Sequence, residues 1–307
     1  METVTRVPPL EYPQALGFLA SGGRKGPTAQ LAASAMLDYL AGRDPRGVHF
    51  FQATVGGGRL AAAMVLENPG RVGMLLHSPG DILGGNASIL RETILAAALE
   101  AISTGLSLVQ SLEPPQARVD IAVLESAGFE KLAELLYLKL NLSRAPASPD
   151  VEGLSWRNFG EFGEAELGEL IEQTYRESLD CPLLAGLREM RDVIEGHKAS
   201  GVFRPESWWI AEHHGAPAGC LLLNEVPASK SAEVVYVGVV PSMRGKHIAS
   251  AMISRAACEA REFGADYLTL AVDSRNAPAR RLYEKTGFQA YQSRIAYLRV
   301  GRKRAKM

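Results

Sequence analysis

The chain has 307 residues, 47% of them hydrophobic and 22% charged, enough apolar material for one large core or two ordinary ones. A formal net charge of −1 excludes a global field that would recruit nucleic acid, and no apolar stretch is long enough to span a membrane. Three cysteines, Cys181, Cys220 and Cys258, are too few for a disulfide framework and fit a reducing cytoplasm, and Met1 to Tyr12 lacks a secretory pattern.

In chain order, Ala15 to Leu19 and Gln30 to Leu40 read as helices, the second with Leu31, Ala35, Met36 and Leu40 on one face. Val48 to Val55, Leu60 to Leu66 and Val72 to His77 are strands set off by glycine-containing turns. The loop Ser78 to Asn86 holds glycines but no lysine or arginine. It opens a helix whose apolar positions are Ile89, Ile94, Leu95, Ala98, Leu99 and Ile102. A strand at Leu106 to Leu112 follows, then a helix ending in Gly128-Phe129, then a strand around Leu135 to Leu142. Pro146, Ala147, Ser148 and Pro149 read as a linker.

The same order then recurs, which predicts an internal repeat. Leu154 to Asn158 is a strand, and Glu164 to Glu177 is a helix with Leu167, Leu170, Ile171 and Tyr175 inward. Trp208 to Glu212, Ala218 to Val226 and Glu233 to Val240 are strands. Pro241 cannot extend a ladder and ends the last of these. From about Lys246 the residues Ile248, Met252, Ile253, Ala256, Ala257 and Ala260 repeat at helical spacing. A strand from Tyr267 to Val272, a short helix and Gly287-Phe288 complete the second round. The two Gly-Phe pairs lie about half the chain apart, and their alignment puts Leu124 opposite Tyr283.

A strand that turns directly into a helix leaves the first helical N–H groups unpaired and outward, at the positive end of the dipole. With Arg244 and Lys246 beside them, these groups make a pyrophosphate site.

The stretch from Glu233 to Phe288 resembles the core of the GNAT N-acetyltransferase superfamily. The family's phosphate turn, [Q/R]-x-x-G-x-[G/A], is matched by Arg244 and Ala249, with Gly245 giving the common Arg-Gly form. His247 replaces the central glycine, a departure at a position where glycine permits close backbone approach or positive φ, and histidine is among the few other residues enriched at positive φ. The second block, N-x-x-A-x-x-L-Y-x-x-x-G-F, is matched from Asn276 to Phe288.

This resemblance implies an α/β fold of two tandem GNAT-like domains, each a mixed, mainly antiparallel sheet flanked by helices. The expected division is a degenerate domain at 1–147 and a catalytic one at 151–307. Tandem members with one active half are known in the superfamily. The arrangement is similar to that of mycothiol synthase, whose active-half strand is similar to Glu233 to Pro241. That likeness fades at Gly219 to Glu225, so its cysteinyl pseudodisaccharide acceptor is kept as an alternative.

The implied chemistry is transfer of an acetyl group from acetyl-CoA to a primary amine of a small molecule or peptide, by direct attack, with no metal. Glu233 is the expected base, against a plain strand-edge carboxylate. Tyr283 is the expected acid for the CoA sulfur, against a core aromatic. Val237, Gly238 and Val239 are expected to pair with the pantetheine arm. Arg244, Gly245, Lys246, His247, Ile248 and Ala249 are expected to hold the pyrophosphate, and Asn276 to cap a helix and touch pantetheine. Asp180 and Cys181 are candidates for the acceptor loop, as a cation ligand and an exposed thiol; both types are more often ordinary loop residues. His197 and Trp208 read as structural, and His213 and His214 have no spacing partner suited to a metal. A non-catalytic acyl-CoA sensor is the competing class, disfavoured by the presence of both Glu233 and Tyr283.

Overall fold

The computed structural model describes residues 3–24, 27–82, 87–144, 149 and 151–301. The end of the glycine loop at 83–86, most of the expected linker and the basic tail after Gly301 lie outside the described residues. The chain forms two compact units, residues 1–132 with 295–307, and residues 133–294.

The first unit contains β1 (Thr3–Arg6), α1 (Tyr12–Ser21), α2 (Pro27–Ala41), β2 (Val48–Val55), β3 (Gly58–Asn68), β4 (Val72–His77), α3 (Ala87–Ser103), β5 (Leu108–Glu113) and α4 (Arg118–Ser126). Strands β1 to β4 pair antiparallel in sequence order, and β4 pairs parallel with β5. One face of this sheet packs Phe50, Ala62 and Met64 against Leu16, Leu19 and Ala33 of α1 and α2. The other packs Ala63, Val65 and Val109 against Ile89, Ile94 and Leu124 of α3 and α4.

β6 (Glu130–Asn141) leaves this unit after Leu132. The second unit continues with β7 (Leu154–Asn158), α5 (Glu164–Tyr175), α6 (Met190–Lys198), β8 (Val202–His213), β9 (Ala216–Val226), β10 (Ser231–Val239), α7 (Ile248–Glu262), β11 (Tyr267–Asp273), α8 (Ala277–Lys285) and β12 (Gln289–Val300). Strands β7 to β10 pair antiparallel in order, and β10 pairs parallel with β11. Leu167, Leu170 and Ile171 of α5 cover one face over Trp208, Ile210 and Leu222. On the other face α7 buries Ile248, Met252, Ile253, Ala256, Ala257 and Ala260, the stripe that its sequence spacing predicts. Each buried Ile or Met there contributes roughly 1.5–3 kcal/mol.

The repeat is carried by register. Val72 pairs with Leu108 in the first unit and Ser231 with Tyr267 in the second, and the same spacing that separates Gly128 from Gly287 separates both sets. The last strand of each sequence half, however, lies with the other unit. Leu135–Asn141 of β6 pairs antiparallel with β11, while Ile295–Val300 of β12 pairs antiparallel with β5. A division at 147 follows sequence order; the contacts follow this exchange of strands.

Two helix faces differ from the sequence reading. In α2 Met36 and Leu40 face the core as expected, but Leu31 is 73% exposed and Ala35 is exposed, and Ala33 and Leu37 take their places. In α3 Leu99 is exposed, while Leu90, Thr93, Ala97 and Ala101 are buried. Both helices are rich in alanine, so several stripes fit helical spacing equally well and packing selects among them.

Candidate active site

The site is organised by two parallel strands that part. β10 pairs with β11 only from Ser231 to Glu233, opposite Tyr267 to Thr269. Beyond Glu233 each strand stays paired on its outer side, β10 with β9 as far as Val239 and β11 with β6 as far as Asp273. A register shift between Val234 and Tyr236 puts an extra residue in β10, and such a bulge bends the strand that carries it. The inner edge of β10 is thus a row of backbone groups facing a slot, suited to receive an extended, amide-containing chain as an added strand. Val237, Gly238 and Val239 lie along this stretch.

Gly238 is needed for close packing. A Cβ there would come within 2.7 Å of Thr174 Oγ1 and of the Tyr236 hydroxyl. Those two oxygens share a hydrogen bond of 2.5 Å that fastens α5 to β10.

After Val240 a short turn, Pro241–Met243, leads through Arg244 and Gly245 to His247. His247 has φ 61° and ψ 5°, the left-handed conformation expected where the motif has glycine. A non-glycine residue there costs about 1–2 kcal/mol. Ala251 N–H donates to the His247 carbonyl, and the N–H groups of Ile248 and Ala249 precede the first intrahelical bond. Lys246 is exposed, with Nζ 3.5 Å from Met243 Sδ. Arg244 is placed differently from a free phosphate ligand. Its guanidinium donates to the carbonyls of Val239, Thr174, Arg176 and Glu177, at 3.2, 3.1, 2.7 and 3.1 Å. These bonds satisfy the carboxyl end of α5 and hold the turn against it.

Glu233, the last residue before the strands part, accepts a 3.3 Å hydrogen bond from Ser200 Oγ. Burial raises its pKa, and the Ser200 hydrogen bond opposes the rise. Ser200 is itself placed by Asn224, a buried residue that donates to the carbonyls of Ser200 and His197 and accepts from Trp208 Nε1. Trp208 is therefore structural, as its sequence context suggests. His197 is kept neutral, its pKa pulled down to about 4 by burial and by Arg188, and its ring stands 5.6 Å from that of Tyr236.

Tyr283 of α8 is buried, with its ring 5.6 Å from Phe288. Burial, and then the charge of Asp180, push its pKa above the ordinary tyrosine value. Asn276 caps α8, accepting from Ala279 N–H at 3.3 Å. Asp180 joins this group: its carboxylate accepts from Asp273 N–H at 2.9 Å and hydrogen-bonds the Asn276 side chain. Cys181 is half-buried, in a left-handed conformation, and burial pushes its thiol up to about 12, with Asp180 and Asp273 adding to the rise. An exposed, reactive thiol is not what the structure shows at this position. The thiol on the surface belongs to Cys258.

The first unit has the same parting of strands with different contents. β4 and β5 pair only from Val72 to Met74, opposite Leu108 to Gln110, and the β3–β4 register runs without a shift. Past that point His77 Nε2 and Glu113 Oε1 stand 3.2 Å apart, bridging the two strands, and Ser111 also hydrogen-bonds Glu113. Asp120 accepts from Gly80 N–H at 2.6 Å. Carboxylates thus occupy the place where a slot would need to welcome an anionic ligand.

Sequence reasoning missed Ser200, in the turn between α6 and β8, and Thr174, Tyr236 and Asp273, inside a helix and two strands, because single polar residues carry no spacing signal. It also missed Tyr137, whose hydroxyl lies in the field of Glu233 although the two are far apart in sequence. Only the pairing of β6 with β11 brings them together.

Comparison with known proteins bears on the family and the fold. The profile of the acetyltransferase (GNAT) family matches residues 171–288. A mycothiol acetyltransferase from Beutenbergia cavernae is 28% identical over 254 residues, covering 73% of this chain and 83% of that protein. Another mycothiol acetyltransferase, from Brachybacterium faecium, is 29% identical over 178 residues, 55% of this chain and 52% of that protein. Among solved structures, an N-acetyltransferase from Sphaerobacter thermophilus superposes with a TM-score of 0.66 at 18% identity, covering 100% of this chain and 98% of that one. A tandem GNAT protein of the clavulanic acid biosynthesis pathway superposes with a TM-score of 0.54 at 15% identity, covering 98% and 99%. The fold of tandem GNAT proteins therefore extends over the whole chain.

Proposed function

We propose that this chain is a tandem GNAT N-acetyltransferase whose second half alone performs catalysis, moving acetyl from acetyl-CoA to a primary amine by direct attack. The observation that carries this reading is the slot whose closed end is Glu233 and which is followed by an anion-ready helix N-terminus. The residues present fit acetyl-CoA. Val237 and Val239 offer backbone groups to its amides, and the turn from Gly245 to Ala249, with Lys246, offers N–H groups and a charge to its pyrophosphate.

The thioester supplies the activated acetyl group. Glu233, with its raised pKa, takes a proton from the ammonium form of the acceptor and so frees the nitrogen lone pair. The C–N bond forms, the nitrogen gives its second proton to solvent, the C–S bond breaks, and the Tyr283 hydroxyl gives its proton to the departing sulfur and is reprotonated by solvent. Burial keeps that hydroxyl protonated at working pH. Arg244, Asp180 and Asn276 position the turn and α8. The bridged strands of the first unit support a non-catalytic role for that half. Action in the cytoplasm is part of this reading; among the described residues no helix is long and apolar enough to cross a membrane.

Transfer to a cysteinyl pseudodisaccharide is a second reading, favoured by the name of the two relatives. Following thiol release from acetyl-CoA across an amine library that includes such an acceptor tests both. Release with none of them would overturn the enzyme reading in favour of an acyl-CoA sensor.

A further inference from the structure

The second unit carries charges of both signs, unmatched by ion pairs among the described residues, on one open face of its sheet. Glu233 of β10 is paired with Thr269 of β11, and Thr269 in turn stands opposite Lys139 of β6. Directly opposed residues share a face, so all three project to the same side. Two strand spacings, about 10 Å, separate the backbones of Glu233 and Lys139.

The cationic end of this face is held in place by aromatic rings. Lys139 Nζ lies 5.4 Å from the ring centre of Tyr267 and 5.6 Å from that of Tyr291. Tyr291 meets Tyr137 edge-on at 6.4 Å. Tyr137 lies in the fields of both Glu233 and Arg294, so a second cation adjoins the same surface. Among the described residues neither Lys139 nor Arg294 forms an ion pair; Arg294 donates only to the Ser293 carbonyl, at 3.5 Å. Helices α5 and α6 cover β8 to β10, leaving Tyr291 exposed at 51% and Lys139 exposed.

We propose that this face is the acceptor site and that its acceptor is a zwitterion, an amine bearing a carboxylate or similar anion several bonds away. The amine sits at Glu233, the anion at Lys139 and Arg294, and the connecting chain lies across Tyr137 and Tyr291. This assignment rests on the reading of Glu233 as the amine end. An acceptor with a second cation in place of the anion is repelled by Lys139 and Arg294, so the same pair of charges that attracts short peptides excludes polyamines.

Triglycine spans about 10 Å when extended and serves as the probe. Calorimetry on the full chain with CoA present compares triglycine, its C-terminal amide and spermidine. Triglycine is expected to bind about tenfold more tightly than the amide, the effect of one charge-assisted contact. Lys139→Ala should reduce that ratio to about twofold or less, Lys139→Arg should restore it, and Lys139→Glu should reverse it. Equal binding of triglycine and its amide, a preference for spermidine, or a ratio unchanged in Lys139→Ala would overturn the proposal, as would no binding of any of them. Triglycine that binds with this preference yet is not acetylated when acetyl-CoA replaces CoA would instead overturn the chemistry and leave the recognition standing.

Discussion

Asp180 and Asp273 hold each other's segments through the backbone. Asp273 N–H donates to Asp180 Oδ1 at 2.9 Å, and the N–H of Cys181, next to Asp180, donates to Asp273 Oδ2 at 3.2 Å. Asp273 is fully buried and also pairs with Arg275 at 2.6 Å. The loop after α5 is thereby fastened to the end of β11, immediately before the helix that carries Tyr283. Cysteine labelling reads this directly. With iodoacetamide at pH 8, Cys258 should react at once, whereas Cys181, its thiol pushed up to about 12, should react far more slowly. Asp180→Ala should accelerate Cys181 labelling, and Asp180→Asn, which keeps an acceptor oxygen, should do so less. Mass spectrometry of the labelled peptides separates the sites.

Arg244 acts on the cofactor turn through the protein. Because its guanidinium meets the carbonyls of Thr174, Arg176, Glu177 and Val239, Arg244→Glu should lower thermal stability even without CoA. Lost hydrogen bonds from a charged donor amount to about 1–3 kcal/mol. CoA affinity should fall with it, since the turn is no longer held. Unchanged melting with weakened CoA binding would show that the side chain meets the pyrophosphate itself.

His247 carries strain that glycine would not. His247→Gly should raise stability by up to about 1 kcal/mol, because the left-handed conformation then has no Cβ penalty. Chemical denaturation measures it, and a loss of stability would mean that the imidazole makes compensating contacts.

How far the sequence reaches is visible in these residues. The stretch from Glu233 to Phe288 was legible because its functional groups are contiguous: a buried strand, a turn and a helix, each with a strong local signature. The left-handed backbone of His247 is one of the two roles that glycine serves at that position, and the structure selects it. Two elements were not seen. β1 is a short, mostly exposed strand, and α6 spans only Met190 to Lys198, so its apolar set Met190, Val193 and Ile194 has helical spacing but is too short to stand out in a charged sequence. The strand exchange was hidden for a different reason. β6 and β12 each follow a helix and a Gly-Phe pair, and nothing in an alternating apolar strand names the sheet edge that it joins. Consequently Tyr137 and Lys139 were read with the first half, away from Glu233. The engagement of Arg244 with carbonyls was also beyond reach, since one arginine fits either an anion or a helix end.

The first unit should respond to pH through His77. Burial alone pulls its pKa down, but the hydrogen bond and charge of Glu113, with Asp120 nearby, outweigh that and raise it above the usual histidine value. A raised folded-state pKa means stability that is fully present below about pH 6.5 and lost as pH rises through the folded value. Thermal melting of the first unit should therefore decline over that interval. His77→Gln should flatten the dependence, and an identical slope in the variant would assign it to other groups.

The chemistry is tested by separating Glu233 from Tyr283 along the pH axis. Activity that depends on Glu233 as a base needs it ionised, and burial sets its pKa above the usual glutamate range. The wild-type kcat/KM should thus climb with pH through a limb that begins above that range. In Glu233→Gln this limb should move to the alkaline side, where the acceptor loses its proton unaided, and the deficit should shrink as pH rises. Tyr283 behaves otherwise. Its pKa lies above the ordinary tyrosine value, so it stays protonated across the working range, and Tyr283→Phe keeps the ring against Phe288 while removing only the hydroxyl. Turnover should fall by about two to four orders of magnitude at every pH, with CoA affinity and melting temperature unchanged. A Tyr283→Phe deficit that vanishes with a better thiolate leaving group confirms proton donation to sulfur. A deficit independent of the leaving group would instead make Tyr283 a packing residue of α8 and leave the sulfur to be protonated by solvent.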